Sequence, residues 1–578
     1  MARHCVTAVF REPVRCGKAA HSGTLPREMS ASRTPRRILR ALLILAVVAI
    51  CLFTGLASLG LTGPDEPRYA WIARAMSTTG DWLTPKLFGQ PWFEKPVLYY
   101  WTAAIGFNYL NSAEWAARLP SAIAALITAF ATGLLALWRY GARTARATVL
   151  IFVTCAGVIA FAPAAAPDML FTAALALALF FATNIVEKRG GFPVDPLRVP
   201  PSDKLDLFLL GVWIGFATLA KGPAAIILAG GSVLLWALAT KNLKIAARML
   251  HPLAIFAFAI IALPWYVLCA RANANFFDVF IIEHNFDRYL TPMFQHPQPF
   301  WFFGPIILLG LMPWTAFLFG AAFDGLRIFR RHEWRTSSGF FIACWAIFPV
   351  LFFSFSKSKL PEYVLPVFPA LAVLMGHSFV CAMEHARRKA QWMGVGTGVI
   401  WVALGVAGAI GFHRLPMYTQ LNREQIAQLA MISLFGGIGI GIVIEFLSLW
   451  HKLWAAVAFT AGACAVLILV AQAIVLPKLD PLLSTRQMAQ QFRATAATAD
   501  AKIYSLGDVN RSCQWGLQFY LESDSLPAFD PKNPEEHYVL MTWGGDMKLN
   551  DLGVLHRKII ARFLPYCWIE SVQAGTSP

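Results

Sequence analysis

Two adjacent carboxylates, Asp65 and Glu66, are the residues of this chain best placed for chemistry, because they directly follow the first long apolar segment. A charged group at the mouth of a membrane helix is costly to keep there, so it is a functional candidate by default. A carboxylate in that position can take up a proton or stabilise a developing positive charge. Asp65 is therefore the first catalytic candidate, and the rest of the chain must bring complementary groups to the same membrane face.

Complementary charges do occur at the ends of later apolar segments. Asp168 opens one such segment and is the second candidate catalytic acid. Acids and several cations together at a lipid-water boundary suit a lipid that bears a phosphate, because Lys and Arg make charge-assisted hydrogen bonds to phosphate oxygens. The candidate substrate-binding residues are Glu66, Arg68, Tyr69, Glu94, Lys95, Arg288, Lys357, Lys359 and Tyr363.

Each of these segments also has a simpler explanation. The segment 93–96 (Phe-Glu-Lys-Pro) fits an interfacial anchor with a snorkelling lysine, and Lys221 is as consistent with a headgroup anchor as with a site residue. Asp168 is equally the acid that a helix dipole favours in its first turn. Lys357 and Lys359 lie on the face where the positive-inside tendency disfavours lysine, so an anionic partner explains them better than a solvated turn does.

The composition excludes a soluble enzyme. The chain has 578 residues, of which 57% are hydrophobic and only 14% charged, and its mean hydropathy is +0.56. Apolar runs long enough to cross a bilayer recur along most of the chain, and about thirteen such spans are expected. The expected spans are 38–61, 117–138, 147–166, 168–187, 206–221, 222–240, 250–270, 301–323, 338–356, 362–383, 392–412, 428–449 and 454–477.

The placement of positive charge predicts the orientation in the membrane. A net charge of +17 would suggest a nucleic-acid partner for a soluble domain, but here the cations fall in clusters on every second connection, as the positive-inside rule expects. The N-terminus is then cytoplasmic and Asp65 is outside. The clusters are Arg33, Arg36, Arg37 and Arg40; Arg139, Arg143 and Arg146; Lys241, Lys244 and Arg248; Arg327, Arg330, Arg331 and Arg335; and Arg387, Arg388 and Lys389.

These patterns predict an all-α polytopic membrane protein with a small external α/β domain. Residues 1–37 are expected to form a disordered cytoplasmic N-terminus, with Met29 as a second candidate start. Residues 38–477 form the transmembrane domain, and its first external loop, 62–114, should carry short interfacial helices. Residues 478–578 contain no apolar run long enough to cross a bilayer. Their hydrophobic pattern predicts an amphipathic helix near 484–498 and strands around 502–507 and 537–542.

Two further patterns concern cysteine and glycine. Cys513 and Cys567 lie in the external region, where an oxidising compartment would allow a disulfide, whereas most other cysteines sit singly within spans. The glycine-rich runs 394–398 and 437–441 lie inside apolar spans, where small residues permit close helix packing. The sequence contains no Walker loop, which excludes an ATP-driven pump.

Taken as a set, four short segments resemble the bacterial aminoarabinose transferases of lipid A, which belong with the protein O-mannosyltransferases in the GT-C class of membrane glycosyltransferases. The resemblance covers the whole chain in layout, including a long first external loop and a C-terminal external domain. The segments are Gly63-Pro64-Asp65-Glu66-Pro67-Arg68-Tyr69, Phe93-Glu94-Lys95-Pro96, Glu283-His284-Asn285-Phe286 with Arg288-Tyr289, and Lys357-Ser358-Lys359-Leu360-Pro361 with Tyr363.

This resemblance implies a pentosyltransferase that moves 4-amino-4-deoxy-L-arabinose from undecaprenyl phosphate to lipid A phosphates at the periplasmic face of the bacterial inner membrane, conferring resistance to polymyxin and cationic peptides. By motif, Asp65 matches the family's essential first-loop acid and Asp168 its second acidic position. Lys95, Arg288 and Tyr363 match positions suited to the carrier phosphate. The implied partners are the lipid-linked donor, lipid A and membrane lipids, and we expect a monomer.

Such a transfer needs no obligatory cofactor. The leaving phosphate gains negative charge as the sugar-oxygen bond breaks, and Lys95, Arg288 and Lys357 would stabilise that charge. A phosphate acceptor is already ionised near neutral pH, so Asp65 would position the acceptor or stabilise the oxocarbenium-like sugar more than act as a base. Glu94 and His284 are the best pair for a divalent metal such as zinc or manganese, and a structural hydrogen bond between them is the alternative.

Other functions fit parts of the pattern. A protein O-mannosyltransferase-like enzyme would also use a first-loop acid and a polyprenyl-linked sugar, and the external domain and acceptor cavity would separate the two. A lipid flippase or secondary transporter would need many helices, but it would place charges near the bilayer midplane, whereas these gather at the external rim. A non-catalytic scaffold would tolerate the loss of the Asp65 carboxylate.

Overall fold

The structure is a computed structural model that describes residues 33–189, 203–291, 297–336, 339–414, 423–496, 501–530, 537–551, 556–563 and 567–573. The second candidate start, Met29, lies outside the described residues, as does most of the segment 1–37 for which disorder is expected. The first helix begins at Arg33, five positions before the expected start of the first span at residue 38.

Helices make up most of the described chain, as its long apolar runs predict. Short stretches of other helix types occur at Asp278–Asp287, Glu333–Thr336, Pro361–Val367 and Ala471–Val475. The α-helices are α1 (Arg33–Phe53), α2 (Asp65–Thr79), α3 (Leu98–Tyr109), α4 (Ala113–Tyr140), α5 (Ala142–Thr154), α6 (Ala156–Phe161), α7 (Asp168–Arg189), α8 (Asp203–Lys221), α9 (Ala224–Thr240), α10 (Leu243–Arg248), α11 (Pro252–Ala272), α12 (Arg288–Leu290), α13 (Phe303–Gly310), α14 (Thr315–Arg330), α15 (Gly339–Ser354), α16 (Phe368–His385), α17 (Arg387–Arg414), α18 (Arg423–Leu449), α19 (Leu453–Val470), α20 (Leu476–Leu483), α21 (Arg486–Thr495), α22 (Arg511–Leu521) and α23 (Trp543–Asp551).

Within the described residues, seven helices are long and apolar enough to cross a bilayer. The pair α13 and α14, bent by 119° at its break, would make an eighth, and three shorter apolar helices accompany them. The chain is therefore an integral membrane protein, while the expected number of about thirteen crossings stays a prediction. The seven helices are Ala113–Tyr140, Asp168–Lys188, Pro252–Ala272, Pro361–His385, Arg387–Arg414, Arg423–Leu449 and Leu453–Leu483.

Glycines bring α17 and α18 into close contact. A Cβ added at Gly437 would lie 2.5 Å from the Cα of Gly405, and one added at Gly441 would lie 2.7 Å from the carbonyl oxygen of Gly398. No larger side chain fits at this separation, so the two backbones gain extensive van der Waals contact in an environment where lipid offers no hydrophobic driving force. This confirms that the glycine-rich runs are packing residues.

The segment after α1 carries the carboxylate pair. Helix α2 begins at Asp65, directly after Pro64, and both acids lie in its first turn, where the helix dipole favours negative charge. The helix ends at Gly80, whose φ of 71° is the left-handed conformation that glycine adopts without strain. A short hairpin, β1 (Lys86–Leu87) with β2 (Gln90–Pro91), and then α3 complete the loop.

The chain after the last apolar run folds around a four-stranded sheet with the strand order β3-β4-β6-β5. The strands β3 (Ile503–Leu506) and β4 (His537–Met541) are parallel, and they lie where the alternating pattern predicts strands. The strand β6 (Cys567–Gln573) is antiparallel to both β4 and β5 (His556–Phe563). Residues of α21 and α22 cover this sheet with a small apolar core.

Buried polar contacts dock this C-terminal region on the first loop, between α1 and α4. The hydroxyl of Tyr520 on α22 accepts a hydrogen bond from the backbone N–H of Leu61 (2.7 Å) and donates one to Glu114 at the start of α4 (2.9 Å). Arg486 pairs with Asp480 (2.9 Å) and with Glu114 (3.3 Å). The C-terminal region and the first loop therefore lie on the same face of the membrane.

A disulfide between Cys513 and Cys567 joins α22 to β6 across 54 positions. Removing a crosslink of this kind costs about 2–4 kcal/mol, because the unfolded region gains conformational freedom. We expect the double variant Cys513→Ser, Cys567→Ser to show faster tryptic cleavage within residues 501–573, measured by limited digestion of the full chain in detergent. Cys464→Ser, which alters a buried free cysteine in α19, is the control. Equal cleavage of the oxidised wild type and the double variant would contradict this expectation.

Candidate functional site

Asp65 lies at the opening of the site. Its side chain is 61% exposed, and its carboxylate forms an ion pair with Arg68, one helical turn further along α2. The surrounding protein displaces enough water to raise the pKa of Asp65, and the carboxylates of Glu94 and Asp168 act in the same direction, against Arg68 and Lys95. The two predicted catalytic acids therefore share one electrostatic environment.

Glu94 is the centre of a cationic cluster formed by Arg68, Lys95 and Arg288. Its Oε2 lies 2.5 Å from Nη1 of Arg68, and its Oε1 lies 3.5 Å from both Nζ of Lys95 and Nη1 of Arg288. Burial alone would raise the pKa of Glu94, but the three cations, with Lys95 the strongest, hold it at about 2. Three positive charges surround one negative charge, and such an arrangement attracts a further anion.

Lys95 is the member of this cluster whose charge is most sensitive to its surroundings. Burial, followed by repulsion from Arg288, lowers the pKa of Lys95 to about 8, although Glu94 opposes the shift. A bound phosphate would restore the charge, because an opposite charge within a few ångströms favours the ionised form of a lysine. The structure thus brings together Arg68, Glu94, Lys95 and Arg288, all of which the sequence selected as site residues.

Asp168 begins α7 and forms a largely buried ion pair with Lys221, the last residue of α8. The ammonium of Lys221 also lies 4.9 Å from the centre of the Tyr363 ring, and Glu362 interacts electrostatically with both Asp168 and Lys221. The sequence left the role of Lys221 open and did not select Glu362. Both residues stand at the end of an apolar run, as the selected residues do, and that position is the signal that could have found them.

Glu66, in contrast to Asp65, is buried, and its carboxylate already accepts hydrogen bonds from several groups of the protein. It accepts hydrogen bonds from Nη2 and Nε of Arg118 (2.6 and 3.1 Å), from the backbone N–H of Thr62 and of Ala165 (2.8 Å each), and from the Thr62 hydroxyl (3.1 Å). A carboxylate offers about four lone-pair directions, so none is left for a substrate. The geometry therefore gives Glu66 a structural role in place of the substrate-binding role expected from the sequence.

The same ion pair fixes the backbone around the site. Arg118 also donates to three carbonyl oxygens at the end of the first span, those of Leu56 (2.8 Å), Leu59 (2.5 Å) and Gly60 (2.8 Å). Glu66 holds the N–H of Ala165, three residues before Asp168. The Glu66–Arg118 pair thus sets the position of Asp65 relative to Asp168.

Two tyrosines that the sequence selected as substrate-binding residues, Tyr69 and Tyr363, are buried beside the cationic cluster. The ring of Tyr69 packs against Tyr99 and Tyr100 at centroid distances of 5.9 and 6.1 Å, and the Arg68 guanidinium lies 4.9 Å from its centre. The hydroxyl oxygen of Tyr363 accepts a hydrogen bond from Arg288. Both phenols therefore hold arginine side chains of the cluster in place.

Two lysines that the sequence selected as substrate-binding residues, Lys357 and Lys359, have different environments. Lys359 is buried, and its ammonium donates to the backbone carbonyls of Gln298 (2.9 Å) and Ser356 (2.6 Å), so it stabilises the loop itself. Lys357 is exposed, while its backbone N–H donates to the carbonyl of Tyr289 (2.9 Å). Of the two, Lys357 is the one that a ligand can reach.

His284 interacts electrostatically with Glu94, the other residue of the predicted metal pair. Burial lowers the pKa of His284 to about 4, so its imidazole is neutral near pH 7, which is the form that binds metals. Across the described residues, no three His, Cys, Asp or Glu side chains come together in a way that could hold a metal ion. The pair supplies two ligands, and a metal there would need further ligands from substrate or water.

The fold and the arrangement of the site are similar to those of membrane glycosyltransferases. Residues 37–280 match the family of dolichyl-phosphate-mannose-protein mannosyltransferases. The fold is similar to the crystal structure of ArnT from Cupriavidus metallidurans bound to undecaprenyl phosphate, with a TM-score of 0.74 over 92% of this chain and 98% of that chain at 23% identity. The apo structure of the same protein gives a TM-score of 0.73.

Curated relatives carry the name undecaprenyl phosphate-alpha-4-amino-4-deoxy-L-arabinose arabinosyl transferase. The one from Edwardsiella ictaluri is 32% identical over 358 residues, which are 60% of this chain and 59% of that protein. The one from Pseudomonas aeruginosa is 30% identical over 69% of this chain and 70% of that protein. A second form from Proteus mirabilis is 30% identical over 79% of each. The chain belongs to this arabinosyl transferase family.

The Glu66–Arg118 pair makes a testable contribution to stability. We expect Glu66→Gln to lower the thermal midpoint of the purified protein, because losing one partner of a buried pair leaves an uncompensated charge and costs about 3–5 kcal/mol. Glu384→Gln is the matched control, since it breaks the exposed Arg143–Glu384 pair, whose side chains are 62% and 42% exposed. That variant should change stability by less than about 1 kcal/mol. Equal midpoints for the two variants would contradict the structural role of Glu66.

Proposed function

We propose that this protein transfers 4-amino-4-deoxy-L-arabinose from undecaprenyl phosphate to the phosphate groups of lipid A. The observation that carries the proposal is a solvent-open acid, Asp65, beside Arg68, Lys95 and Arg288 gathered around Glu94. A cluster with net positive charge suits a reaction in which one lipid phosphate leaves and a second anion attacks. The names of the relatives supply the sugar and its carrier.

The proposed location is the periplasmic face of the bacterial inner membrane. The alternation of cationic clusters supports a cytoplasmic N-terminus, and the Cys513–Cys567 disulfide supports an oxidising compartment for the C-terminal region. The proposed crossings, about thirteen in number, are the seven long spans, the bent pair α13–α14, the shorter apolar helices α1, α9 and α15, and the helices α5–α6 and α8. We also propose that the protein acts as a monomer.

The cationic cluster acts on the leaving group. Lys95 and Arg288 bind the carrier phosphate, and Tyr363 fixes Arg288 through the hydrogen bond between them. As the bond between the sugar and the phosphate oxygen breaks, negative charge grows on that oxygen, and preorganised cations stabilise it without further rearrangement. The exposed Lys357 adds a cation at the edge of the same site.

The carboxylates act on the sugar and the acceptor. An acceptor phosphate is ionised near neutral pH and needs no base, so Asp65 stabilises the positive charge that develops on the sugar ring and orients the acceptor. Its partner Arg68 keeps Asp65 in place and reduces the repulsion that an incoming phosphate would meet. Asp168 orients Lys221 toward the ring of Tyr363, next to the carrier phosphate.

The reaction as proposed needs no obligatory metal. Lys95 and Arg288 supply the charge that a divalent metal would otherwise supply to the leaving phosphate. Glu94 and a neutral His284 are the residues that would hold zinc or manganese if one binds, and the metal would then add a further positive charge beside the phosphate.

Replacement of Asp65 tests the proposed reaction directly. In a transferase-deficient bacterium, we expect the wild-type chain to restore polymyxin resistance and to add an aminoarabinose mass increment to lipid A, and we expect Asp65→Asn to lose both at matched expression. Removing a charge that acts only in the transition state lowers rates by about 100-fold or more. Asp81→Asn is the control, because Asp81 lies in the same loop and pairs with Lys86 instead (2.8 Å).

The outcomes of this experiment separate the alternatives. Unmodified lipid A from a well-expressed wild type would contradict the proposed acceptor and favour a protein O-mannosyltransferase-like reaction, for which the family match of residues 37–280 is the specific observation. Full activity of Asp65→Asn would contradict the proposed site.

The charge of Lys95 predicts how binding of the lipid carrier depends on pH. Since the pKa of Lys95 is lowered to about 8, its ammonium is lost as the pH rises above that value, and binding of undecaprenyl phosphate should weaken by up to about tenfold per pH unit. Lys95→Arg keeps its charge and should bind with an affinity that is nearly constant between about pH 7 and pH 9.5. The measurement is the dissociation constant in detergent at each pH. The same pH profile for both proteins would show that Lys95 does not bind the phosphate.

A further inference from the structure

The C-terminal region contributes an aromatic side chain to the edge of the site. Trp515 on α22 is partly exposed, and its ring lies 5.3 Å from the guanidinium carbon of Arg68. The ring of Trp92, in the first external loop, lies 5.7 Å from the same carbon and 6.5 Å from the ring of Trp515, in an edge-on arrangement. Because Arg68 also pairs with Asp65, this aromatic wall, Trp92 and Trp515, lies beside the proposed catalytic acid.

The wall is held rigidly although its two halves come from distant parts of the chain. Cys513, two positions before Trp515, is disulfide-bonded to β6. Tyr520, later on the same helix, is hydrogen-bonded to Leu61 and Glu114 of the membrane part. A surface fixed at both ends loses little conformational entropy when a ligand binds to it.

The wall and the phosphate-binding cations occupy different flanks of the Arg68–Glu94 pair. Lys95 and Arg288 contact Glu94, whereas the two indole rings contact Arg68. A carrier phosphate bound at Lys95 and Arg288 therefore leaves the aromatic flank to the other substrate.

The chemistry of the wall indicates what that substrate is. Trp515 is close to a second guanidinium group, since the exposed Arg511 on the same helix is 5.7 Å from the centre of its ring. An aromatic ring offers a flat apolar surface to the C–H face of a sugar, and an arginine at its edge offers bidentate hydrogen bonds to a phosphate. The combination fits a phosphorylated sugar ring better than it fits a hydrocarbon chain or a peptide.

We propose that Trp515, with Trp92, is the wall against which the phosphorylated sugar ring of the glycolipid acceptor packs, with Arg511 facing its phosphate. The proposal rests on the proposed function, because that function makes the acceptor a phosphorylated glycolipid. It assigns the C-terminal region a direct part in selecting the acceptor, whereas the membrane part binds the donor.

The test is binding of lipid A and, separately, of undecaprenyl phosphate to the full chain in nanodiscs without sugar donor. We expect Trp515→Ala to weaken lipid A binding about tenfold, equivalent to about 1.4 kcal/mol, and to change undecaprenyl phosphate binding by less than about twofold. Trp515→Phe keeps an aromatic ring and should recover most of the affinity. Trp543→Ala, which removes a 62% exposed tryptophan elsewhere in the C-terminal region, should behave like the wild type.

The possible results separate a failure of this inference from a failure of the proposed function. Wild-type affinity for lipid A in Trp515→Ala, with the disulfide and thermal midpoint intact, would overturn the inference. Weaker binding of undecaprenyl phosphate instead would also overturn it, because the wall would then serve the donor. An enzyme that binds lipid A through Trp515 but adds no aminoarabinose to it would leave this inference standing and contradict the proposed function. A wild type that does not bind lipid A would overturn the inference as stated.

Discussion

A buried ion pair, Glu66–Arg118, is the constraint on which the rest of the site depends. Neither charge could stay in this dry environment alone, and the pair is stable there because backbone groups satisfy most of the remaining hydrogen-bonding positions. Those backbone groups belong to the end of the first span and to the segment before Asp168, and Glu66 itself lies in the first turn of α2. One electrostatic requirement thereby fixes three chain segments, and the exposed neighbour Asp65 receives a defined position without being part of the network.

The site also shows how like charges can be kept close together before a substrate arrives. Arg68, Lys95 and Arg288 would repel one another strongly if Glu94 did not lie among them. The carboxylate compensates part of the charge and leaves an excess, so the cluster is stable when empty and still attracts an anion. Aromatic rings add contacts to Arg68 that do not neutralise it.

The sequence predicts the helical membrane fold, the strands β3 and β4 and the members of the cationic cluster, because apolar runs, alternation and charges at run ends are local patterns. It does not show that Glu66 is a structural residue while Asp65 faces the site, since adjacent residues in a helix's first turn point in different directions and only the packed neighbours decide which one is buried. Arg118 lies within an expected span and carries no signal of its partner. The burial of Lys359 and the approach of Glu362 to the site depend on how loops pack, which no local pattern records.

The contacts between the C-terminal region and the first loop have a consequence for biosynthesis. Glu114 and Tyr520 are 406 positions apart, so the earlier segment waits until the ribosome has made the later one. With the orientation proposed above, the site reaches its final form only after the last span is inserted and the C-terminal region has been exported, oxidised and docked. A nascent or truncated chain therefore holds the acids and cations of the site without the wall that completes it, and enzymatic competence becomes a property of the fully assembled chain alone.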